Sequence, residues 1–175
     1  MQAASSLEFL PVQAAAQVAE VARLARVIWS EHYLDIIGQA QIDYMLARFQ
    51  SEPAIAGQIE AGDEYFLLRH DGTMVGYAAI RSQPETARLF VSKLYLLATA
   101  RGRGWGRDTL AFLAQLAQQR GLSTLWLTVN KHNPALHAYL AVGFVQVAEV
   151  VADIGAGYVM DDYQLEWRLP AAAPV

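Results

Sequence analysis

The sequence contains no cysteine. Disulfide bonds, thiol nucleophiles and cysteine-ligated zinc sites are therefore excluded. Charged residues are also scarce, at 17% of the 175 residues, and the formal net charge is −4. A mildly acidic chain lacks the basic surface that binding to nucleic acid requires, so we expect no nucleic-acid partner.

Long apolar runs are missing as well. One of the purest, Leu94–Leu97, is far shorter than the roughly 20 residues that a membrane helix needs. The opening MQAASSLEFL has neither a basic region nor a long apolar region, so it indicates no secretory signal. We therefore expect a cytoplasmic protein that has no membrane partner.

Apolar residues make up 54% of the chain, which is enough for a substantial core. We predict a single domain over residues 1–175, with a core at about 7–169 and short tails at both ends. The apolar residues follow strand spacing in some segments and helix spacing in others. The predicted strands are Leu7–Val12, Glu64–His70, Thr73–Arg81, Ala87–Leu97, Leu122–Val129, Phe144–Val151 and Tyr158–Leu169. The predicted helices are Ala14–Glu31, Gln39–Phe49, a third that Ser51 caps, one from the Gly-rich turn to Arg120, and a short one after Pro134. The helix after the Gly-rich turn should bury a stripe of Leu110, Leu113, Ala114 and Ala117 and expose Asp108, Gln115 and Gln119.

This order of elements predicts an α/β fold with a mixed, mostly antiparallel central sheet, a β-α-β core and flanking helices. Asp71-Gly72 is a strong two-residue turn signal between the second and third strands. Leu122–Val129 is too continuously apolar for a half-exposed strand, so we place it at the centre of the sheet.

The segment RGRGWG (Arg101–Gly106) lies between a predicted strand and a predicted helix. Its glycines allow close approach of a ligand, and the helix start presents unpaired N–H groups and a positive dipole end. Together with Arg107, the segment is suited to binding a pyrophosphate. The phosphate-binding GxxxxGK pattern is absent, and Arg107 occupies the third glycine position of the dinucleotide pattern GxGxxG.

A third pattern does fit: Arg or Gln, two residues, Gly, one residue, then Gly or Ala, which here are Arg101, Gly104 and Gly106. This segment and the following LWLTVNKHNPALHAYLAVGF (Leu125–Phe144) resemble the GCN5-related N-acetyltransferase (GNAT) superfamily, in particular its bacterial small-substrate members. The resemblance is good from Leu94 to Phe144 and weaker over Leu7 to Leu169.

The resemblance implies that acetyl-CoA binds as the acetyl donor in the β-α-β core. The strand before the Gly-rich turn would splay from the next parallel strand, and a strand amide near Leu96 would stabilise the oxyanion. The residues assigned to acetyl-CoA here are Tyr95, Leu96, Leu97, Arg101, Gly102, Arg103, Gly104, Trp105, Gly106 and Arg107.

Further along, the resemblance assigns Asn130 and Asn133 to the CoA arm and Tyr139 to the protonation of the leaving thiolate. Each has an ordinary structural alternative. Asn133 fits an N-cap before Pro134, and Tyr139 fits a packing aromatic on a short helix. A tyrosine hydroxyl, with a pKa near 10, is able to donate a proton to a thiolate whose pKa is about 8.5.

The resemblance does not supply a general base for this chain. Many family members carry a glutamate on the strand before the Gly-rich turn, but Arg88–Leu97 contains no carboxylate. Asp161 interrupts an apolar series in the last predicted strand, so it is the candidate base, and Asp162 is a candidate acceptor-binding residue. The alternative is that a bulge turns both aspartates to solvent.

Trp29, His32 and Tyr33 end the first helix, where family members wall the acceptor pocket; ordinary helix-end packing is the alternative. His132 and His137 are too few and poorly spaced for a metal site, so we expect no metal. The leading hypothesis is transfer to a small primary amine, a class that includes polyamines, by direct attack in a ternary complex. A peptide or protein N-acetyltransferase and a non-catalytic acyl-CoA-binding module are the competing hypotheses, and the protein would be a monomer or a homodimer.

Overall fold

The computed structural model describes residues 6–171. Within them, an α/β arrangement contains a seven-stranded mixed sheet, so the predicted fold class is confirmed. The predicted tails lie mostly outside the described residues. The strands are β1 (Glu8–Pro11), β2 (Glu64–His70), β3 (Thr73–Gln83), β4 (Arg88–Leu96), β5 (Thr124–Asn130), β6 (Val145–Gly155) and β7 (Tyr158–Arg168). The helices are α1 (Ala15–His32), α2 (Leu34–Ile37), α3 (Gln39–Phe49), α4 (Glu52–Glu60), α5 (Trp105–Gln119) and α6 (Ala135–Val142).

Hydrogen bonding orders the strands β1-β2-β3-β4-β5-β7-β6. The parallel pair is β4 with β5, which joins Arg88–Phe90 to Thr124–Trp126. Antiparallel pairs join β1 to β2, β2 to β3, β5 to β7 and β6 to β7. β5 therefore lies between two neighbours, as its continuous apolar sequence predicts.

By contacts, the chain divides into two compact units. Unit 1 contains the described residues up to Ile80 together with Lys93–Asp108, and unit 2 contains Arg81–Ser92 together with the described residues from Thr109 onward. The single-domain assignment stays a prediction.

In unit 1, local signals set the helix ends and the hairpin. The side chain of Ser51 accepts a hydrogen bond from the amide of Ala54 at 3.3 Å, so the predicted N-cap of α4 is confirmed. Asp71 and Gly72 both have positive φ, at 48° and 76°, as a two-residue hairpin turn of this type requires. The helix α2 is a single turn that the sequence pattern did not predict.

The core of unit 1 forms where the apolar face of α1 is buried. Val21, Ala22 and Ala25 are fully buried. In unit 2, α5 buries its predicted stripe, which consists of Leu110, Leu113, Ala114 and Ala117. Its predicted polar residues Asp108, Gln115 and Gln119 are exposed. Both helices therefore have the one-sided burial that their spacing predicts.

Candidate functional site

The predicted site residues fall in both units. In unit 1, the Gly-rich turn connects a one-turn 3₁₀ segment, Ala98–Ala100, to the start of α5. Gly102 and Gly104 have φ of +75° and +84°, and a Cβ on either would meet no atom within 4 Å. The amide of Asp108 donates to the carbonyl of Gly104 at 3.0 Å, so Gly104 is the N-cap of α5. The positive φ values require glycine here, and the open space beside them suits a bound ligand.

Two arginines brace this turn. The Nε and Nη2 atoms of Arg101 donate to the carbonyl of Leu96 at 3.2 and 3.1 Å, and Nε of Arg103 donates to the carbonyl of Thr99 at 3.3 Å. The guanidinium of Arg103 also lies over the ring of Trp105, 5.4 Å from its centroid. These side chains therefore stabilise the turn in addition to placing positive charge beside it.

The end of β4 lies very close to β3 at Gly76, a glycine that was not among the predicted site residues. A Cβ on Gly76 would overlap the carbonyl oxygen of Tyr95 and come within 3.2 Å of the Cα of Leu96. A glycine inside an apolar strand is a signal of close backbone approach, so the sequence did contain this information.

We expect Gly76→Ala to lower the free energy of unfolding by about 1–3 kcal/mol, because β3 and β4 must separate to make room for the methyl group. Urea denaturation measures this loss. Gly57→Ala is the matched control, because a Cβ on Gly57 in α4 would meet nothing within 4 Å. That control should gain about 0.5–1 kcal/mol from helix propensity. Similar effects of the two substitutions would contradict the close approach.

An aromatic cluster forms at the end of α1. Trp29 stacks on Tyr33 with ring centroids 4.5 Å apart and lies 5.5 Å from Tyr95. Tyr77 lies 5.4 Å from Tyr95, and His32 contacts the edge of Tyr33 at 4.8 Å. Trp29 and Tyr33 are buried, as the helix-end packing alternative requires. Their assignment to the acceptor pocket stays a prediction.

Near the family's glutamate position, β4 carries a lysine whose environment the sequence did not predict. Lys93 is 9% exposed, and its Nζ donates to Oε1 of Gln58 at 2.8 Å. The same Nζ lies 5.2 Å from the ring centroid of Tyr65, whose hydroxyl also donates to Gln58. Burial raises the pKa of the Tyr65 hydroxyl far above its ordinary value. This part of β4 therefore carries a buried lysine amine and no carboxylate.

In unit 2, the two asparagines shape the segment between β5 and α6. Oδ1 of Asn130 accepts from the amide of His132 at 2.9 Å, and Oδ1 of Asn133 accepts from the amide of Ala135 at 2.9 Å. Asn133 is 7% exposed, and its side chain accepts a hydrogen bond from the first amide of α6, which is the local bonding that its structural alternative describes. The contact of either residue with acetyl-CoA stays a prediction.

Tyr139 is a half-buried residue of α6. Its ring contacts the ring of Phe144 edge-on, with centroids 5.6 Å apart, and its carbonyl accepts from the amides of Gly143 and Phe144. The packing therefore holds the ring in place, while the role of the hydroxyl as a general acid stays a prediction.

Asp161 lies at the surface, and its role as the general base stays a prediction. Its side chain is 50% exposed, and Oδ1 pairs with Nζ of Lys131 at 2.9 Å. The last residue of β5, Asn130, pairs with Asp162. Asp161 therefore lies just past the end of the β5–β7 pairing and has a strand neighbour only in β6 among the described residues. Asp162 points to the opposite face and is 3% exposed. The bulge that would turn both aspartates to solvent is therefore not observed.

Asp162 is a buried carboxylate whose Oδ1 has no hydrogen-bond partner among the described residues. Burial raises its pKa from 3.8 to about 6, a hydrogen bond from Thr128 opposes this rise, and the negative charge of Asp161 adds to it. At neutral pH this carboxyl group is mostly ionised although its surroundings favour the neutral form.

We expect Asp162→Asn to stabilise the fold near neutral pH. Because the folded-state pKa is raised, the wild-type protein loses stability as pH rises from about 4 to about 6 and does not regain it above that range. Solvent screening reduces the full effect, so the gain should be about 1–2 kcal/mol. Urea denaturation over a pH series should show this gain vanishing below about pH 4. Asp161→Asn is the exposed control and should change stability by less than about 1 kcal/mol. A destabilised Asp162→Asn variant at every pH would contradict this account.

Among residues 6–171, no group of three or more histidine, cysteine, aspartate or glutamate side chains is arranged to hold a metal ion. No helix in the described part of the chain is both long and apolar enough to cross a membrane.

Two relatives of known name are acetyltransferases. The chain is 37% identical over 94 residues to a streptothricin acetyltransferase from Streptomyces lavendulae, which covers 53% of this chain and 50% of that protein. It is 31% identical over 88 residues to a [Ribosomal protein bS18]-alanine N-acetyltransferase from Haemophilus influenzae, which covers 49% of this chain and 59% of that protein. The chain thus matches only about half the length of these relatives.

Solved structures share the fold. The PaiA N-acetyltransferase from Thermoplasma acidophilum, in complex with coenzyme A, superposes with a TM-score of 0.74 at 17% identity, over 93% of this chain and 99% of that one. Nourseothricin acetyltransferase superposes with a TM-score of 0.57 at 26% identity, over 63% of this chain and 68% of that one. Residues 19–144 match the acetyltransferase (GNAT) family. With the Gly-rich turn at the start of α5 and this match over most of its length, the chain belongs to the GNAT family of acetyltransferases.

Proposed function

We propose that the protein is an acetyl-CoA-dependent N-acetyltransferase that modifies a primary amine of a small molecule by direct attack in a ternary complex. The observation that carries the proposal is the Gly-rich turn, where Gly102 and Gly104 have positive φ and open space beside them just before the first amides of α5. Backbone N–H groups and the dipole at a helix start suit the pyrophosphate of coenzyme A. The family supplies the expectation that the bound thioester provides the acetyl group.

The residues of this chain have separate tasks in the proposed reaction. The amide of Leu97 donates to the carbonyl of Val75 at 2.9 Å. Because successive amides of an extended strand point to opposite edges, the N–H of Leu96 points away from β3 and is suited to stabilise an oxyanion. The Tyr139 hydroxyl would donate its proton to the departing thiolate. The absence of cysteine supports direct attack over a covalent cysteine intermediate.

The relatives bear on the acceptor. The streptothricin relative is named for a small molecule, and its identity to this chain is 37%, compared with 31% for the ribosomal-protein relative. We therefore favour a small amine, and a polyamine is included in that class. Acetylation of a peptide N-terminus is the second candidate, which the ribosomal-protein relative supports.

The test is an acetylation assay with a defined panel of acceptors: streptothricin, spermidine and a short peptide that begins with alanine. The protein, acetyl-CoA and each amine are incubated, and mass spectrometry measures the acetylated product while a thiol reagent measures released CoA. We expect acetylation of streptothricin or spermidine and stoichiometric release of thiol. Exclusive acetylation of the peptide would favour the second candidate. Tight binding of acetyl-CoA with no product from any amine would instead indicate a non-catalytic acyl-CoA-binding module.

A further inference from the structure

The two faces of β7 have different chemistry. Asp162, Gln164 and Glu166 form the polar face of β7, and the register places them opposite Asn130, Thr128 and Trp126 of β5. The other face carries Trp167, whose ring lies 5.7 Å from that of Phe144. The polar face is therefore a surface of hydrogen-bonding groups on the side of these strands away from Phe144.

The carboxylates on and near this face differ in their ion-pair partners. Glu166 pairs with Arg88, and Asp161 pairs with Lys131 on the other face. Asp162 is the most buried of the three, and no ion pair for it is present among the described residues. A buried carboxylate oxygen that accepts no hydrogen bond costs free energy of folding. An N–H group of a bound ligand would supply the missing donor to this oxygen.

We infer that Asp162 is the proton acceptor for the amine that the enzyme acetylates. The inference rests on the proposed function. One proton passes from the ammonium nitrogen of the acceptor to Oδ1 of Asp162. The neutral nitrogen then forms its bond to the acetyl carbon, and the C–S bond of the thioester breaks as the tetrahedral intermediate collapses. The thiolate takes its proton from the Tyr139 hydroxyl. The nitrogen loses its second proton to solvent, and solvent reprotonates the Tyr139 phenolate, which leaves the neutral amide. Asp162 returns its proton to solvent after the product leaves.

The surroundings of Asp162 suit this role. A general base is most effective when its pKa lies near the working pH, and burial raises the pKa of Asp162 to about 6. The residues that neighbour Asp162 on the adjacent strands carry no charge; they are Thr128 and Asn130 of β5 and Val150 of β6. The charged group that acts on it is Asp161, which favours the protonated form. Asp162 also pairs in register with Asn130, to which the family resemblance assigns the CoA arm.

The experiment measures kcat/KM over a pH series with the panel amine that the wild-type protein acetylates fastest. For the wild-type protein, we expect an acidic limb in the profile with an apparent pKa near 6. Asp162→Asn should lower kcat/KM about 100-fold or more and remove that limb, without a change in acetyl-CoA affinity by calorimetry. Asp162→Glu keeps a carboxylate and should restore the limb at a reduced rate. Glu149→Gln is the matched control, because Glu149 is an exposed carboxylate paired with Lys131, and it should leave the profile unchanged.

Two results would overturn the inference while leaving the proposed function intact. The first is an Asp162→Asn variant that acetylates the amine at nearly the wild-type rate with the same acidic limb. The second is loss of the limb in Asp161→Asn instead, which would assign the base to the exposed neighbour. A wild-type protein that acetylates no panel amine would overturn the proposed function itself, and the inference with it.

Discussion

Replacing Gly104 with valine should weaken acetyl-CoA binding by about 100-fold or more, to below detection in calorimetry. Gly104 has φ of +84° and open space beside it, and its carbonyl accepts the first hydrogen bond of α5, so a valine there would add a side chain at the start of this helix. The first amides of α5 and the helix dipole provide the proposed pyrophosphate contacts, and a branched side chain would block both. The measurement is isothermal titration calorimetry on a variant that circular dichroism shows to be folded.

The matched control for Gly104→Val is Gly121→Val. Gly121 follows the far end of α5 and has φ of +72°, and a Cβ on it would also meet nothing within 4 Å. Both substitutions force a side chain into left-handed backbone, so both should cost about 1–2 kcal/mol of stability. Only Gly104→Val should reduce affinity. Unchanged affinity in a folded Gly104→Val variant would remove the Gly-rich turn from the cofactor site.

Replacing Tyr139 with phenylalanine should lower kcat by about 10²–10⁴-fold while acetyl-CoA affinity changes little. The substitution removes one hydroxyl and keeps the ring, so the edge-on contact with Phe144 at 5.6 Å is preserved. The expected loss follows from the leaving thiolate, which departs poorly without a nearby proton donor. Steady-state kinetics with the fastest panel amine provides kcat, and calorimetry provides the affinity.

Tyr163→Phe is the control for Tyr139→Phe. Tyr163 is also a half-buried tyrosine of unit 2, and its ring lies 5.4 Å from Nζ of Lys131. Loss of its hydroxyl should leave kcat near the wild-type value. Near wild-type turnover in Tyr139→Phe would assign that residue a packing role alone, and equal losses in both variants would indicate a general effect on the sheet.

Features that depend on neighbouring residues in the chain were predictable. The cap at Ser51, the turn at Asp71-Gly72 and the buried stripe of α5 each follow from a few adjacent side chains, and the structure confirms all three. The Gly-rich turn belongs to the same class, because positive φ and the helix start are local properties. Family resemblance then extended this local pattern to a fold.

Features that depend on tertiary contacts were not predictable. Alternation along β7 places Asp161 in an apolar series. The sequence does not reveal that β5 ends opposite Asp162, so it does not predict that the Asp161 side chain is half exposed. The environment of Lys93 is set by Gln58 and Tyr65, which are distant in the chain. In both cases the burial of the side chain depends on which other strand or helix packs against it, and the sequence of one segment does not predict that neighbour.

The contact between Arg101 and the carbonyl of Leu96 has a consequence for the thermodynamics of binding. The guanidinium of Arg101 already holds the carbonyl of Leu96, so it restricts the backbone where the turn begins before any ligand arrives. A ligand that binds to a flexible loop must offset the entropy lost when the loop is ordered, at about 0.5–1.5 kcal/mol for each immobilised side chain. Here much of that entropy is already lost when the chain folds, before a ligand binds. Under the proposed function, Arg101 would therefore contribute to acetyl-CoA affinity through the rigidity of the free protein as well as through its charge.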